Sequence, residues 1–186
     1  MTRARLISPL LGPMQHETAG IWRTPKPIPV PYFGGAECSV TYVPDGDAFI
    51  AEADKLVASF LAKTFHERTK ATLYVFNHCK NYLEACGDDD PEVLEMLDHV
   101  PWGKHIRPMV EMKDPEQVWA FVRLYDIWLA REQSDDEDYL SLHCRCEWDE
   151  EHGLQLVFNP AEKLIRVSSQ DGDMIGWGGD GMISDQ

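Results

Sequence analysis

"CRCEWDEEHGLQLVF", residues 144–158, decides how this chain is read. It carries two cysteines one residue apart, a tryptophan, three consecutive acids, a histidine and a glycine. Either it is a metal or catalytic site, or it is a β-hairpin with a charged turn. Parity favours the hairpin. If residues 139–148 are extended, Leu140, Leu142, Cys144, Cys146 and Trp148 point one way. Tyr139, Ser141, His143, Arg145 and Glu147 point the other. The first set is apolar and belongs in a core; the second is polar and belongs in water. Leu154, Leu156 and Phe158 resume the apolar face after the turn. His143 then looks out to solvent, away from both thiols. A C-x-C pair on a strand does not converge on one ion as the C-x2-C turn of a zinc site does. No metal and no cofactor is expected.

The turn itself escapes strand alternation. Glu151 and His152 can converge there, and Gly153 supplies a positive φ at no steric cost. A Glu and a His can act as a general acid and base or hold a divalent ion. The structural alternative, which is preferred, has Glu151 accepting backbone N–H groups while His152 packs on Trp148 or meets a carbonyl.

Working outward, "YDIWLARE", "YLSLHCRCEW", "GLQLVFN" and "KLIRVSS" are strand-like runs separated by "QSDDED", "DEEH" and "PAE". Linkers this short predict an antiparallel four-strand meander. Upstream, "AECSVTYV" (36–43) alternates as a strand. The prolines at 25, 27, 29 and 31 confine the preceding segment to an edge strand or an extended arm. Between these lie helices. Phe49, Ala53, Leu56, Val57, Phe60 and Leu61 form a helical stripe that Asp45 or Asp47 can cap. A second helix spans about 66–86, with the stripe Leu73, Phe76, Cys79, Leu83 and Cys86 and a stop at Gly87. A third starts at Asp90-Pro91-Glu92. "HIRPMVEM" (105–112) reads as a strand interrupted by Pro108, and Asp114-Pro115-Glu116 opens a further helical segment.

The expected fold class is α+β: a mostly antiparallel sheet, made of the C-terminal meander and an N-terminal strand, packed against two or three helices. One domain, 1–186, is expected, divided into an arm and strand (1–44), a helical segment (45–100), a strand–helix–meander segment (101–170) and an irregular tail (171–186).

A net charge of −15 disfavours nucleic acid and anionic membrane surfaces as partners, and permits a basic protein. The acids cluster at 87–92, 134–139 and 149–151. No stretch approaches the ~20 apolar residues of a membrane span, and the N-terminus lacks a signal-peptide pattern. Of the five cysteines, Cys79 and Cys86 stand too far apart along a helix for a disulfide, and Cys144 and Cys146 lie at the outer edge of the range with side chains roughly parallel, so reduced, mostly buried thiols and a cytoplasmic location are expected. No P-loop, G-x-G-x-x-G, G-x-S-x-G or H-E-x-x-H motif occurs. "DGDMIGWGGDG" fails as a calcium loop, because Ile175 and Met182 stand where oxygen ligands are required. "PWGKHIRP" groups Trp102, Lys104, His105 and Arg107, but reads first as a connecting loop that tucks Trp102 into the core.

"HIRP", "CEWDEEHGLQLVF" and "RVSSQDGD" together resemble a family of uncharacterised bacterial proteins known only as a domain of unknown function. Trp148, Glu151, His152, Gly153 and Leu154 match its W-x-x-E-H-G-L hairpin. Asp171 and Gly172 match its final turn, although Asp173 stands where a His is expected. The resemblance spans about 100–173. It implies an α+β fold and brings no established activity or catalytic residue. Small acidic domains of this class suggest toxin-neutralising or other protein-interaction roles. The expected function is therefore non-enzymatic, immunity-type binding of a basic protein through Asp135, Asp136, Glu137, Asp149, Glu150 and Glu151. The alternative is a metal-dependent or acid/base hydrolase built on Glu151 and His152.

Overall fold

The meander forms. In the computed structural model, which describes residues 6–18, 20–45, 48–97, 99–100, 103–175 and 181–183, the strands β7 (Val122–Glu132), β8 (Glu137–Cys146), β9 (Leu154–Phe158) and β10 (Leu164–Ser168) pair antiparallel in chain order. β6 (Ala36–Val43) lies beside β7 and runs parallel to it, with Val40 opposite Ile127. The helices between β6 and β7 supply the long crossover that a parallel pair requires. The protein is α+β, with a mostly antiparallel sheet.

The Pro-rich segment behaves as an edge. β4 (Trp22–Arg23) and β5 (Ile28–Val30) pair with successive parts of β6, and β3 (Gln15–His16) pairs with β4. The outermost hairpin, β1 (Ile7–Ser8) with β2 (Gly12–Pro13), is held by a buried carboxylate on the first helix. Asp54 accepts from the Ser8 hydroxyl at 2.6 Å, the Tyr42 hydroxyl at 2.6 Å and the Leu10 N–H at 3.2 Å.

That helix, α1 (Phe49–Ala62), buries the expected residues Phe49, Ala53, Leu56, Val57 and Phe60. Its N-cap position is Ala48, without a side-chain cap. Asp45 does not cap it, and Asp47 lies outside the described residues. The second helix, α2 (Thr69–Cys86), ends at Gly87 with φ 75°, as the sequence predicts, and is preceded by a 3-10 turn, Phe65–Arg68. Its buried face differs from the expected stripe. Ala71, Thr72, Val75, Cys79 and Leu83 are buried, whereas Leu73 is 56% exposed and Cys86 is exposed. The helix turns toward Thr72 because that hydroxyl has partners: Trp119 Nε1 donates to it at 2.9 Å, and it donates to Glu116 at 2.8 Å. A buried hydroxyl satisfied this way costs little.

α3 (Pro91–Leu97) starts as expected, with the Asp90 carboxylate accepting from Glu92 N–H at 2.8 Å. The segment expected as a strand, 105–112, is instead largely a helix, α4 (Gly103–Val110). Ile106, Met109 and Val110 follow helical spacing, and Met109 is fully buried. Lys80 from α2 donates to the carbonyls of Met109 and Val110 at 2.9 and 2.5 Å, closing the helix end. Pro108 removes one helical donor but does not prevent this short helix. Gly103 is essential there: a Cβ would lie 2.0 Å from the Leu97 carbonyl oxygen. Asp114 accepts from Glu116 N–H and opens a 3-10 turn, Pro115–Phe121, that runs straight into β7.

The core lies between the helices and the inner face of the sheet, where Leu140, Leu142, Cys144 and Cys146 are buried as parity requires. The opposite face is not simply solvated. Tyr139 and Ser141 are buried, and His143 is mostly covered. Residues 169–175 fold back over this face. Arg166, 1% exposed, pairs with Asp171 and donates to the Asp173 carbonyl at 2.6 Å; Gln155 donates to the same two residues. The start of the tail is thus a latch. Further on, Met182 bridges to Arg166 along the free side of β10. No helix among the described residues is long and apolar enough to cross a membrane.

Candidate functional site

The β8–β9 turn sits on a cleft of about 670 Å³. Its floor is the N-terminal end of β7 and the C-terminal end of β8; the turn and Gln170 close the side. Asp149 organises the turn. Its carboxylate is 2% exposed and accepts from His152 N–H at 3.0 Å and from Ser169 Oγ at 2.8 Å, with His152 Nδ1 at 3.1 Å. Its carbonyl accepts Gly153 N–H at 2.8 Å. Burial acts to raise the Asp149 pKa, but these hydrogen bonds outweigh it and hold the carboxyl below the usual Asp range.

The partner of His152 is therefore Asp149, not Glu151. Nor does His152 meet Trp148: the Trp148 indole donates to His78 of α2 at 3.2 Å. Glu150 and Glu151 are exposed. The buried Asp149 cannot serve as an exposed binding acid.

Gly153 has φ 74°, and a Cβ there would lie 2.6 Å from the Cys144 carbonyl oxygen and 2.7 Å from Gln170 Nε2. That Nε2 donates to the carbonyls of Cys144 at 2.9 Å and Leu154 at 3.2 Å, while Tyr125 donates to Gln170 Oε1 at 2.6 Å. Tyr125 is brought there by a β-bulge, since the β7–β8 register shifts between Leu124 and Asp126.

His143 faces away from the thiols, as expected, but not into open solvent. Its ring stacks on Trp128 at 5.2 Å and 15°, with Tyr125 edge-on at 6.2 Å. Burial lowers its pKa to about 4. Beside it Asp126, 1% exposed, accepts from Arg23 at 2.7 Å, Thr41 at 3.0 Å and Trp128 Nε1 at 3.0 Å. Burial still raises the Asp126 pKa. Burial also pushes the Cys38, Cys79 and Cys146 thiols up to about 12, so they are poor nucleophiles. Among the described residues no three His, Cys, Asp or Glu side chains are grouped to hold a metal ion.

Asp135, Asp136 and Glu137 lie at the other end of β8 from Asp149, Glu150 and Glu151. Ten strand residues separate the two sets by roughly 30 Å. At the far end Arg131 pairs with Asp136 and Asp138, and Asp135 accepts from Tyr139 at 2.6 Å. Of the "PWGKHIRP" group, Trp102 lies outside the described residues, Lys104 and His105 are exposed on α4, and Arg107 pairs with Glu111. The residues that sequence reasoning missed are Arg123, Tyr125, Asp126, Ser169 and Gln170. An Asp between apolar neighbours in "LYDIW" was the one visible signal.

Fold and site together define a small α+β protein with a polar cleft at one end of its sheet. The chain belongs to the family described as a domain of unknown function (DUF6985), whose model matches residues 10–174. No curated protein and no solved structure matches it.

Proposed function

We propose that the protein works by binding a basic protein partner, in the manner of an immunity protein, through the acidic end of the molecule that carries Asp89, Asp90, Glu92, Glu150 and Glu151. The observation that carries this is a difference in charge compensation. Asp89, Asp90, Glu92, Glu150 and Glu151 are exposed and form no ion pair among the described residues. In the 135–138 segment, by contrast, Arg131 pairs with two of the four acids, Asp136 and Asp138.

The two uncompensated segments share one end. Trp148, beside Asp149, donates to His78 of α2 at 3.2 Å, and Tyr82 follows one turn further along that helix. Four residues later the helix ends and the 88–90 loop begins. Carboxylates that no internal cation neutralises steer a cationic partner and speed its association. Free cysteines, four of them buried, fit a reducing, cytoplasmic setting.

The test is capture of the partner from native cell extract at low salt, followed by its affinity as a function of salt. Affinity should fall steeply as salt rises. It should collapse in E150K/E151K and D89K/D90K, and hold in D135K/D136K. Affinity that is flat with salt, or insensitive to charge reversal at both near segments, overturns the proposal.

A second reading, acid/base hydrolysis, rests on one observation: His152 is pinned through Nδ1 by buried Asp149 while its side chain stays 55% exposed on the cleft. That is how a carboxylate orients a general base. Hydrolysis of model esters or phosphoesters, with and without added divalent metal, that is lost in His152→Ala and retained in Glu151→Gln would carry it. No turnover under any of these conditions removes it.

A further inference from the structure

The arginines of this acidic chain are almost all engaged. Arg23 pairs with Asp126 and Glu17, Arg107 with Glu111, Arg131 with Asp136 and Asp138, and Arg166 with Asp171. Arg68 is buried among the rings of Phe65 and Trp119, at 4.2 and 4.4 Å from their centroids. Two remain among the described residues. The side chains of Arg123 and Arg145 form no ion pair and donate no hydrogen bond among the described residues, and both residues are exposed.

These two are also neighbours. They are direct cross-strand partners on β7 and β8, on the outer face of the sheet, where Cβ atoms stand about 5 Å apart. Like charges placed opposite each other destabilise a sheet. In a chain with 32 acids and 17 lysines and arginines, a pair left uncompensated at one point is not a consequence of composition. Both line the 670 Å³ cleft, whose side is closed by Tyr125, Gln170 and His152. Two guanidinium groups carried on facing residues can turn their N–H forks to one oxyanion.

The rest of the lining narrows the ligand. Glu147, Glu150 and Glu151 share the cleft yet form no ion pair with either arginine. A bare polyanion would meet their repulsion. A ligand with a positive group beside its anionic one would satisfy both signs.

We propose that Arg123 and Arg145 form a binding site for an oxyanion, phosphate or carboxylate, carried on a small ligand that also bears a cationic group. This site shares Glu150 and Glu151 with the acidic-surface reading, but the two are told apart: its determinants are the two arginines, whereas partner capture is tested by reversing acids.

The test is a titration of the full chain, followed by NMR of the arginine side chains, with four probes: inorganic phosphate, acetate, phosphoethanolamine and β-alanine. Saturable one-to-one binding is expected, with shifts at Arg123 and Arg145 and with the ammonium-bearing member of a pair binding more tightly than its simple anion. The phosphate and carboxylate arms decide which oxyanion the site takes. R123Q/R145Q should abolish binding, and R123K/R145K should weaken it several-fold, because lysine lacks the fork. Thermal unfolding shows that each variant is folded; removing two facing charges should leave Tm unchanged or raised. If the glutamine variant does not fold, the lysine variant and the wild-type shifts decide. No saturable binding of any probe at tens of millimolar, or binding that persists in R123Q/R145Q, overturns the proposal.

Discussion

Replacing Asp149 with alanine tests the organisation of the whole cleft. The carboxylate is almost fully buried and accepts a backbone N–H, a hydroxyl and an imidazole N–H from three directions. A hydrogen bond to a charged group contributes about 1.5–3 kcal/mol, and contributions within one network are not additive. Ser169 and His152 can turn to water, which recovers part of the loss. The expected destabilisation is about 2–4 kcal/mol. In a chain of 186 residues this lowers Tm by roughly 5–15 °C. The pH dependence adds a second signature. The Asp149 pKa is lowered on folding, so its contribution is complete above the ordinary Asp pKa and is lost as pH falls through the lower, folded value. Urea unfolding from pH 7 to pH 3 should therefore show a shallower acid loss in Asp149→Ala than in wild type. A destabilisation under about 1 kcal/mol, or identical acid slopes, would refute Asp149 as the organiser of the turn.

Gly153→Ala places a Cβ 2.6 Å from a backbone oxygen in a left-handed conformation. The conformation alone costs about 1–2 kcal/mol, so urea unfolding should show a loss of at least that size together with altered Gln170 resonances. His143 stays neutral in the fold, with a pKa lowered from 6.5 to about 4. The unfolded chain takes up that proton first, so stability should fall as pH drops through this window, by at most about 3 kcal/mol; His143→Gln should flatten that part of the profile. Arg145→Gln relieves a like-charge pair and should stabilise the ligand-free protein by about 0.2–1 kcal/mol in low salt, the gain shrinking as salt screens it. In native protein a thiol reagent should modify Cys86 quickly and the other four cysteines only on unfolding.

Much of the fold was legible because its signals are local. The short linkers of the meander, the apolar face Leu140, Leu142, Cys144 and Cys146, the α1 stripe and the stop at Gly87 each lie within a few residues of chain, and each recurs in the structure, whereas Tyr139 and Ser141, expected in water, are buried. The misreadings share a cause. Residues 105–112 hold too few apolar positions to separate alternation from helical spacing, and Lys80, which closes α4, comes from another helix. The α2 stripe turned on Thr72, a polar residue that is tolerated in the core only because Trp119 and Glu116 meet its hydroxyl.

The candidate site was legible in place but not in wiring. The sequence by itself determined that Cys144 and Cys146 face the core and that a charged turn with a glycine follows them, because side-chain direction on a strand depends only on counting by two. Only the tertiary structure decided that Asp149 is the buried partner of His152, that Ser169, twenty residues away, completes its shell, and that Arg123 stands opposite Arg145. The physical reason is that a buried polar group must find its partner somewhere, and that partner comes from whichever segment the fold brings near, at a separation no local pattern records.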